Sequence, residues 1–340
     1  MAEHNVKNAK NEFVKHIIYC INSRQYAIIN MDLDGIMCYA IAKIFQPNME
    51  IAGYSDSATQ VFKAKYAKIA NTVCLDLYCK TKGLACIDNH IIDIVIRTIE
   101  EEFKHNPNIV RNKTLENYTE KYPFSTFILL CAAFDNIGWH GFNLDAVVCY
   151  YENQPIYLWE LILRADDTLC TSRMNYIENS ENWWKWLLSI AGKDGMLYKI
   201  YQKVMSFSKE QANEEKIRIT KVLKKYFHTE TDDGFLTLCD NYHIFNETIL
   251  DAFRLGYEYP QQQNLTRHAF IKIVFKTSDC DLMDRIINDN DVFSYAFVAK
   301  DRLSVSITES SKPKFDKIKC TEKLYDFPLD EIEGIDTKHY

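Results

Sequence analysis

Glycine and proline are scarce in this sequence, at 10 and 7 of 340 residues. So few turn-forming residues favour helices and strands over long loops. The chain also lacks any run approaching the roughly 18 consecutive apolar residues of a membrane span. Its first ten residues lack the positively charged start and the apolar stretch of a secretion signal. We therefore expect a cytoplasmic protein that makes no use of a membrane.

An excess of positive charge is absent as well. The formal net charge is -7 at pH 7, whereas lysine and arginine carry the non-specific affinity of proteins for nucleic acids. We therefore expect a protein that does not coat long nucleic acid. A short nucleotide substrate, bound through a metal ion and a few basic groups, agrees with this charge.

The 11 cysteines do not form a disulfide pattern, because their number is odd and they lie in apolar surroundings. This usage predicts reduced, buried thiols. Cys74, Cys79 and Cys86 are close together in the sequence, but their spacing is not a standard zinc pattern. Buried thiols are therefore the favoured interpretation there too.

Three short apolar runs each end in an acidic residue, and they lead to Asp32, Asp76 and Asp88. Uniformly apolar runs are typical of parallel strands that helices cover on both faces. Residues 37–44 carry apolar side chains at helical spacing, so the first run predicts strand, turn and helix. Because ligands bind at the carboxyl ends of parallel strands, we expect these aspartates to meet at one edge of a sheet.

The length of the chain predicts two domains. The predicted fold class is α/β, with an N-terminal parallel sheet flanked by helices (1–200), a helical linker region (201–262) and a smaller C-terminal α/β domain (263–340). The helices and strands predicted in the later part of the chain are helices at 124–134, 156–163, 182–188, 206–227 and 281–288, and strands at 269–275, 294–298 and 303–307.

Residues 30–36, with the sequence NMDLDGI, form an acidic turn after the first predicted strand. Asp32 and Asp34 are two residues apart, so their carboxylates project to the same side of an extended strand end. Gly35 gives the chain room to turn, and the helix that follows offers backbone N–H groups to an anion. Clustered carboxylates repel one another unless a divalent cation neutralises them. The turn therefore predicts a site for a metal ion and a phosphate.

Four motifs in this order resemble those of the DHH phosphoesterase superfamily. The first is the turn at 32–36, the second is Asp76 after its strand, the third is 88–90 (DNH), and the fourth resembles 164–168 (RADDT). The sequence is most similar to the nanoRNase and oligoribonuclease branch. The resemblance implies a metal-dependent hydrolase, a nuclease-like phosphodiesterase that cleaves a short oligonucleotide or a cyclic nucleotide. Such an enzyme could also form a homodimer.

The resemblance also implies a set of site residues. Those at positions of metal ligands are Asp32, Asp34, Asp76, which would bridge two ions, Asn89 and Asp167. His90 and Asp88 are the implied catalytic residues, with His90 facing the substrate phosphate. The cofactor would be Mn²⁺ or Mg²⁺, as one or two ions. Asp166 is the alternative fourth acid, and Asp167 is preferred because it precedes Thr168.

The chain departs from the family pattern at two ligand positions. Ile28 stands where the family has a histidine four residues before the first aspartate, and Asn89 stands where the triplet has its first histidine. An amide is a poorer transition-metal ligand than imidazole, so Mn²⁺ affinity should fall, and Mg²⁺ with oxygen ligands could replace it. No GGGH loop follows, and Thr308 stands where a strand arginine would bind substrate.

Two other functions stay open. A DHH-like protein with a degraded metal site would bind a nucleotide or a partner protein without cleaving it. The acidic turn also resembles the nucleophile motif of haloacid-dehalogenase-type phosphatases, in which Asp32 would attack phosphorus and Asp34 would act as general acid and base. In that scheme Asp76 and the 88–90 triplet have no role.

Overall fold

The structure is a computed structural model of the chain. It describes residues 12–30, 33–55, 60–63, 68–94, 104–139, 143–164, 180–191, 194–226, 267–318 and 322–324. Within these ranges, no helix is both long enough and apolar enough to cross a lipid bilayer.

The described residues form twelve strands and ten α-helices. The strands are β1 (Tyr26–Asn30), β2 (Glu50–Ser55), β3 (Gln60–Lys63), β4 (Thr72–Leu75), β5 (Ala85–Ile87), β6 (Lys104–His105), β7 (Val147–Tyr151), β8 (Gln154–Tyr157), β9 (Arg267–Lys276), β10 (Val292–Ala299), β11 (Arg302–Thr308) and β12 (Glu322–Leu324). The helices are α1 (Glu12–Asn22), α2 (Leu33–Phe45), α3 (Pro107–Val110), α4 (Thr126–Asn136), α5 (Leu158–Arg164), α6 (Ser180–Ala191), α7 (Met196–Ser206), α8 (Lys209–Tyr226), α9 (Cys280–Ile287) and α10 (Lys312–Phe315).

Five strands form the parallel part of the sheet, in the order β2, β1, β4, β5, β6. All described residues of β4 and β5 are buried, as a sheet covered on both faces requires. Helix α4 is buried over almost its whole circumference and packs against α1, α2, α6 and α7. A helix that is apolar all round lies in a core, and here that core covers the parallel strands.

The C-terminal strands β9, β10, β11 and β12 form a smaller antiparallel region. Strand β3 joins it to the parallel part, because it pairs antiparallel with both β2 and β9. Strand β10 also reaches the loops that follow β4 and β5, through bridges from Ser294 to Cys79 and from Phe297 to Ile91. The antiparallel region therefore contacts the loops that carry Asp76 and Asp88.

The predicted α/β class, with a parallel sheet flanked by helices and a smaller C-terminal sheet region, is confirmed. The apolar runs that lead to Asp76 and Asp88 form strands β4 and β5, as predicted. The helix predicted at 156–163 begins only at Leu158, because residues 154–157 form β8 of a hairpin. The predicted linker helix is α8. The domain boundaries stay a prediction.

Candidate metal centre

Asp76 lies at the turn that ends β4. Its φ of 56° is in the left-handed region, which aspartate and asparagine tolerate better than other residues with side chains. Its backbone N–H donates to the carbonyl of Ile87, at 2.9 Å, and its side chain is 3% exposed. The left-handed turn thus ends the strand and leaves a buried carboxylate at the edge of the sheet.

Two of the described side chains donate to that carboxylate. The hydroxyl of Thr126 donates to Oδ1 of Asp76 at 2.8 Å, and the amide of Asn30 donates to Oδ2 at 3.3 Å. Asn30 is the last residue of β1, and Thr126 is the first of α4. The neighbouring strand and a core helix therefore orient Asp76 from two sides.

Asp88 and His90 form a second pair, after β5. Oδ1 of Asp88 lies 2.7 Å from Nδ1 of His90, and Oδ2 accepts the backbone N–H of His90 at 3.2 Å. The amide of Asn106 donates both to Oδ2 of Asp88 and to the carbonyl of His90. A carboxylate only accepts, so Nδ1 of His90 carries the proton. In the neutral ring Nε2 is then the unprotonated nitrogen. Asp88 is buried, whereas a third of the His90 side chain is exposed.

The two strand ends bring Asp76, Asp88 and His90 together. One ligand atom from each residue lies within 4.8 Å of the ligand atoms of the other two. Among the described residues, no other group of histidine, cysteine and carboxylate side chains has this arrangement. Carboxylate and imidazole groups bind divalent cations such as Mg²⁺ and Mn²⁺, so this donor set fits the expected ion, whose identity stays a prediction.

Asp34 is not a member of that group. It is in the first turn of α2, which begins at Leu33, so the prediction that its carboxylate projects from an extended strand end is wrong. Its two oxygens accept the backbone N–H groups of Thr126 and Phe127, at 2.7 and 2.8 Å. Asp34 therefore binds the N-terminus of α4, where the helix dipole favours a negative charge. Its role as a metal ligand stays a prediction.

Asn89 and Ile28 make core contacts at the two positions where the DHH superfamily, which the sequence resembles, has histidine ligands. The amide of Asn89 donates to the carbonyl of Phe124 at 2.8 Å, and Asn89 is 4% exposed. Ile28 is fully buried and packs in a small apolar cluster with Cys74 and Cys86. These contacts explain how the fold accommodates an amide and an aliphatic side chain at these positions.

Several predicted residues lie outside the described part of the chain. They are Asp32, Asp166, Asp167 and Thr168. The roles of Asp32 and Asp167 as metal ligands stay predictions, as does the phosphatase alternative that depends on Asp32.

The three neighbouring cysteines are buried, as predicted. Sγ of Cys74 lies 3.4 Å from Sγ of Cys79, and burial raises the pKa of both thiols. The ammonium of Lys104 lies 3.5 Å from Sγ of Cys86 and donates to the carbonyls of Cys79 and Leu84. Lys104 thereby fixes the loop between β4 and β5 to strand β6.

Thr126 and Asn106, which orient the aspartates, are not among the site residues predicted from the sequence. Each had a local signal. Ser125 and Thr126 precede a long apolar run, as a helix cap does, and Asn106 precedes Pro107 at the start of a helix. Helices do start at both positions in the structure, but only the tertiary fold shows which carboxylates lie beside them.

No protein-family model, curated protein or solved structure was found to match this chain.

Proposed function

We propose that this protein is a metal-dependent phosphodiesterase that hydrolyses a short oligonucleotide or a cyclic nucleotide. The observation that carries the proposal is the convergence of Asp76, Asp88 and His90 at the carboxyl ends of β4 and β5. The resemblance of the sequence motifs to the DHH superfamily supports the same reaction. A divalent ion bound there would act as a Lewis acid and lower the pKa of a bound water.

The residues around this site would have separate roles. Asp76 and the Asp88–His90 pair would hold the ion. Asn106 keeps Asp88 and the His90 backbone in a fixed relation. The imidazole of His90 is partly exposed, and Asp88 holds it in the tautomer with the proton on Nδ1, so its unprotonated Nε2 would bind the ion. The negative net charge suits a short substrate bound by few contacts.

The test is hydrolysis of a panel of dinucleotides and cyclic dinucleotides with Mn²⁺ or Mg²⁺. Wild type is compared with Asp76→Asn, because asparagine also tolerates the left-handed φ of this position. Asp145→Asn is the control, since it removes an exposed carboxylate far along the chain. We expect turnover by wild type and the control, and a loss of at least about 100-fold in Asp76→Asn. Equal, metal-independent rates in all three proteins would contradict the proposal.

The second candidate is a nucleotide-binding module without catalysis. One observation favours it: the N-terminus of α4 already neutralises Asp34, so this carboxylate does not require a metal ion for its stability. Thermal unfolding of the wild type separates the two functions. A nucleotide that raises the melting temperature without being cleaved, with or without added metal, supports the binding module.

A further inference from the structure

Thr126, the first residue of α4, contacts two of the predicted site aspartates at once. Its backbone N–H donates to Asp34 at 2.7 Å, and its hydroxyl donates to Asp76 at 2.8 Å. Thr126 is fully buried, so water does not compete for these bonds and they keep their strength. One residue thus ties the acidic edge of the sheet to a core helix.

The orientation of the Asp76 carboxylate depends on such partners. The hydroxyl of Thr126 is the closer of the two described side-chain donors, because the amide of Asn30 lies 3.3 Å away. The two donors bind different carboxylate oxygens. Rotation of the carboxylate about its Cβ–Cγ bond would break both bonds, so their loss would let the carboxylate turn away from Asp88 and His90.

We propose that Thr126 is a positioning residue of the metal site, whose hydroxyl fixes the Asp76 carboxylate in the orientation that binds the divalent ion. This inference rests on the proposed function, since it takes Asp76 as a ligand. Removal of a group that orients a metal ligand typically weakens metal binding by about 10- to 100-fold. Thr126 itself would not touch the ion or the substrate.

A matched pair of substitutions isolates the hydroxyl. Thr126→Val preserves the side-chain shape and the N–H that binds Asp34, and removes only the hydroxyl. Thr72→Val is the control: Thr72 is equally buried, at the other end of β4, and its hydroxyl donates to the carbonyl of Lys68 at 2.7 Å. Each variant therefore loses the hydroxyl of a buried threonine, but only Thr126→Val loses a hydrogen bond to Asp76.

The experiment measures Mn²⁺ affinity of the full chain by calorimetric titration, beside urea unfolding in EDTA. We expect Thr126→Val to bind Mn²⁺ about 10- to 100-fold more weakly than wild type. Thr126→Ser, which restores the hydroxyl, and Thr72→Val should bind within about threefold of wild type. If Thr126→Val does not fold, Thr126→Ala replaces it with the same expected loss.

Three results would overturn the inference. Unchanged Mn²⁺ affinity in Thr126→Val would overturn it and leave the proposed metal site standing. An equal loss of affinity in Thr72→Val would overturn it too, because affinity would then follow stability alone. If wild type itself binds neither Mn²⁺ nor Mg²⁺ in the same titration, the proposed function fails together with the inference.

Discussion

Replacement of Asp34 separates a structural role from a metal-binding role. In the structure this buried carboxylate accepts two backbone N–H groups of α4, from Thr126 and Phe127. Asp34→Ala would leave both donors buried without that acceptor, at a cost of about 1 to 3 kcal/mol each. Loss of the negative charge at the helix N-terminus adds up to about 2 kcal/mol. We therefore expect a loss of about 2 to 8 kcal/mol in the free energy of unfolding.

The isosteric change Asp34→Asn should cost about half as much, because one oxygen still accepts an N–H while the amide nitrogen faces the other donor. Urea unfolding followed by tryptophan fluorescence measures both variants, in EDTA and with excess Mn²⁺. The control is Asp145→Asn, since Asp145 is exposed and its ion pair with Lys203 lies at the surface, where such pairs contribute about 0 to 1 kcal/mol.

The decisive comparison is the one in EDTA. If the contacts with α4 stabilise the buried charge of Asp34, the loss of stability in the variants appears without metal. The reasoning would be refuted if the free energy of unfolding of Asp34→Ala in EDTA lay within about 1 kcal/mol of wild type. So small a loss is less than two unsatisfied buried donors would cost. A loss that appears only with Mn²⁺ would instead support Asp34 as a ligand.

Three further predictions concern other parts of the molecule. Gly35→Ala places a Cβ 2.0 Å from the carbonyl oxygen of Asn30, so the main chain must shift. We expect chemical unfolding to show a loss of about 3 kcal/mol or more in the free energy of unfolding. A variant as stable as wild type would contradict this. Burial lowers the pKa of His105 from 6.5 to about 4, so the folded state favours the neutral ring, and the resulting stability is present above pH 6.5 and lost as the pH falls towards 4. The difference in unfolding free energy between wild type and His105→Asn should therefore shrink by about 2 kcal/mol between pH 7.5 and pH 5, whereas a constant difference would show that His105 does not titrate in this way. In Gly195→Ala the new Cβ would lie 2.2 Å from the carboxylate of Asp135, which accepts the N–H of Leu197 at the start of α7. Because this displaces the cap of α7, we expect the free energy of unfolding to fall by about 1 to 2 kcal/mol. An unchanged melting temperature would contradict this.

Local sequence patterns were sufficient to predict the aspartates at the strand ends. The apolar runs before Asp76 and Asp88 set the strands, because a buried parallel strand needs apolar side chains on both faces. The acidic residue that follows each run marks the strand end, and parallel strands end at one edge. The structure places the Asp76 and Asp88 carboxylates together, as this reasoning expects.

Only the tertiary structure decided how those carboxylates are held. Thr126 binds Asp34, which lies 92 positions earlier in the sequence. Asn106, which binds Asp88, directly follows β6, a strand of only two residues. So short a strand has no periodicity to detect. The choice of partner depends on where α4 packs over the sheet, which no local pattern records. The sequence therefore determined which acidic residues reach the sheet edge, and packing determined that Asp76 faces Asp88 and His90 while Asp34 caps a helix.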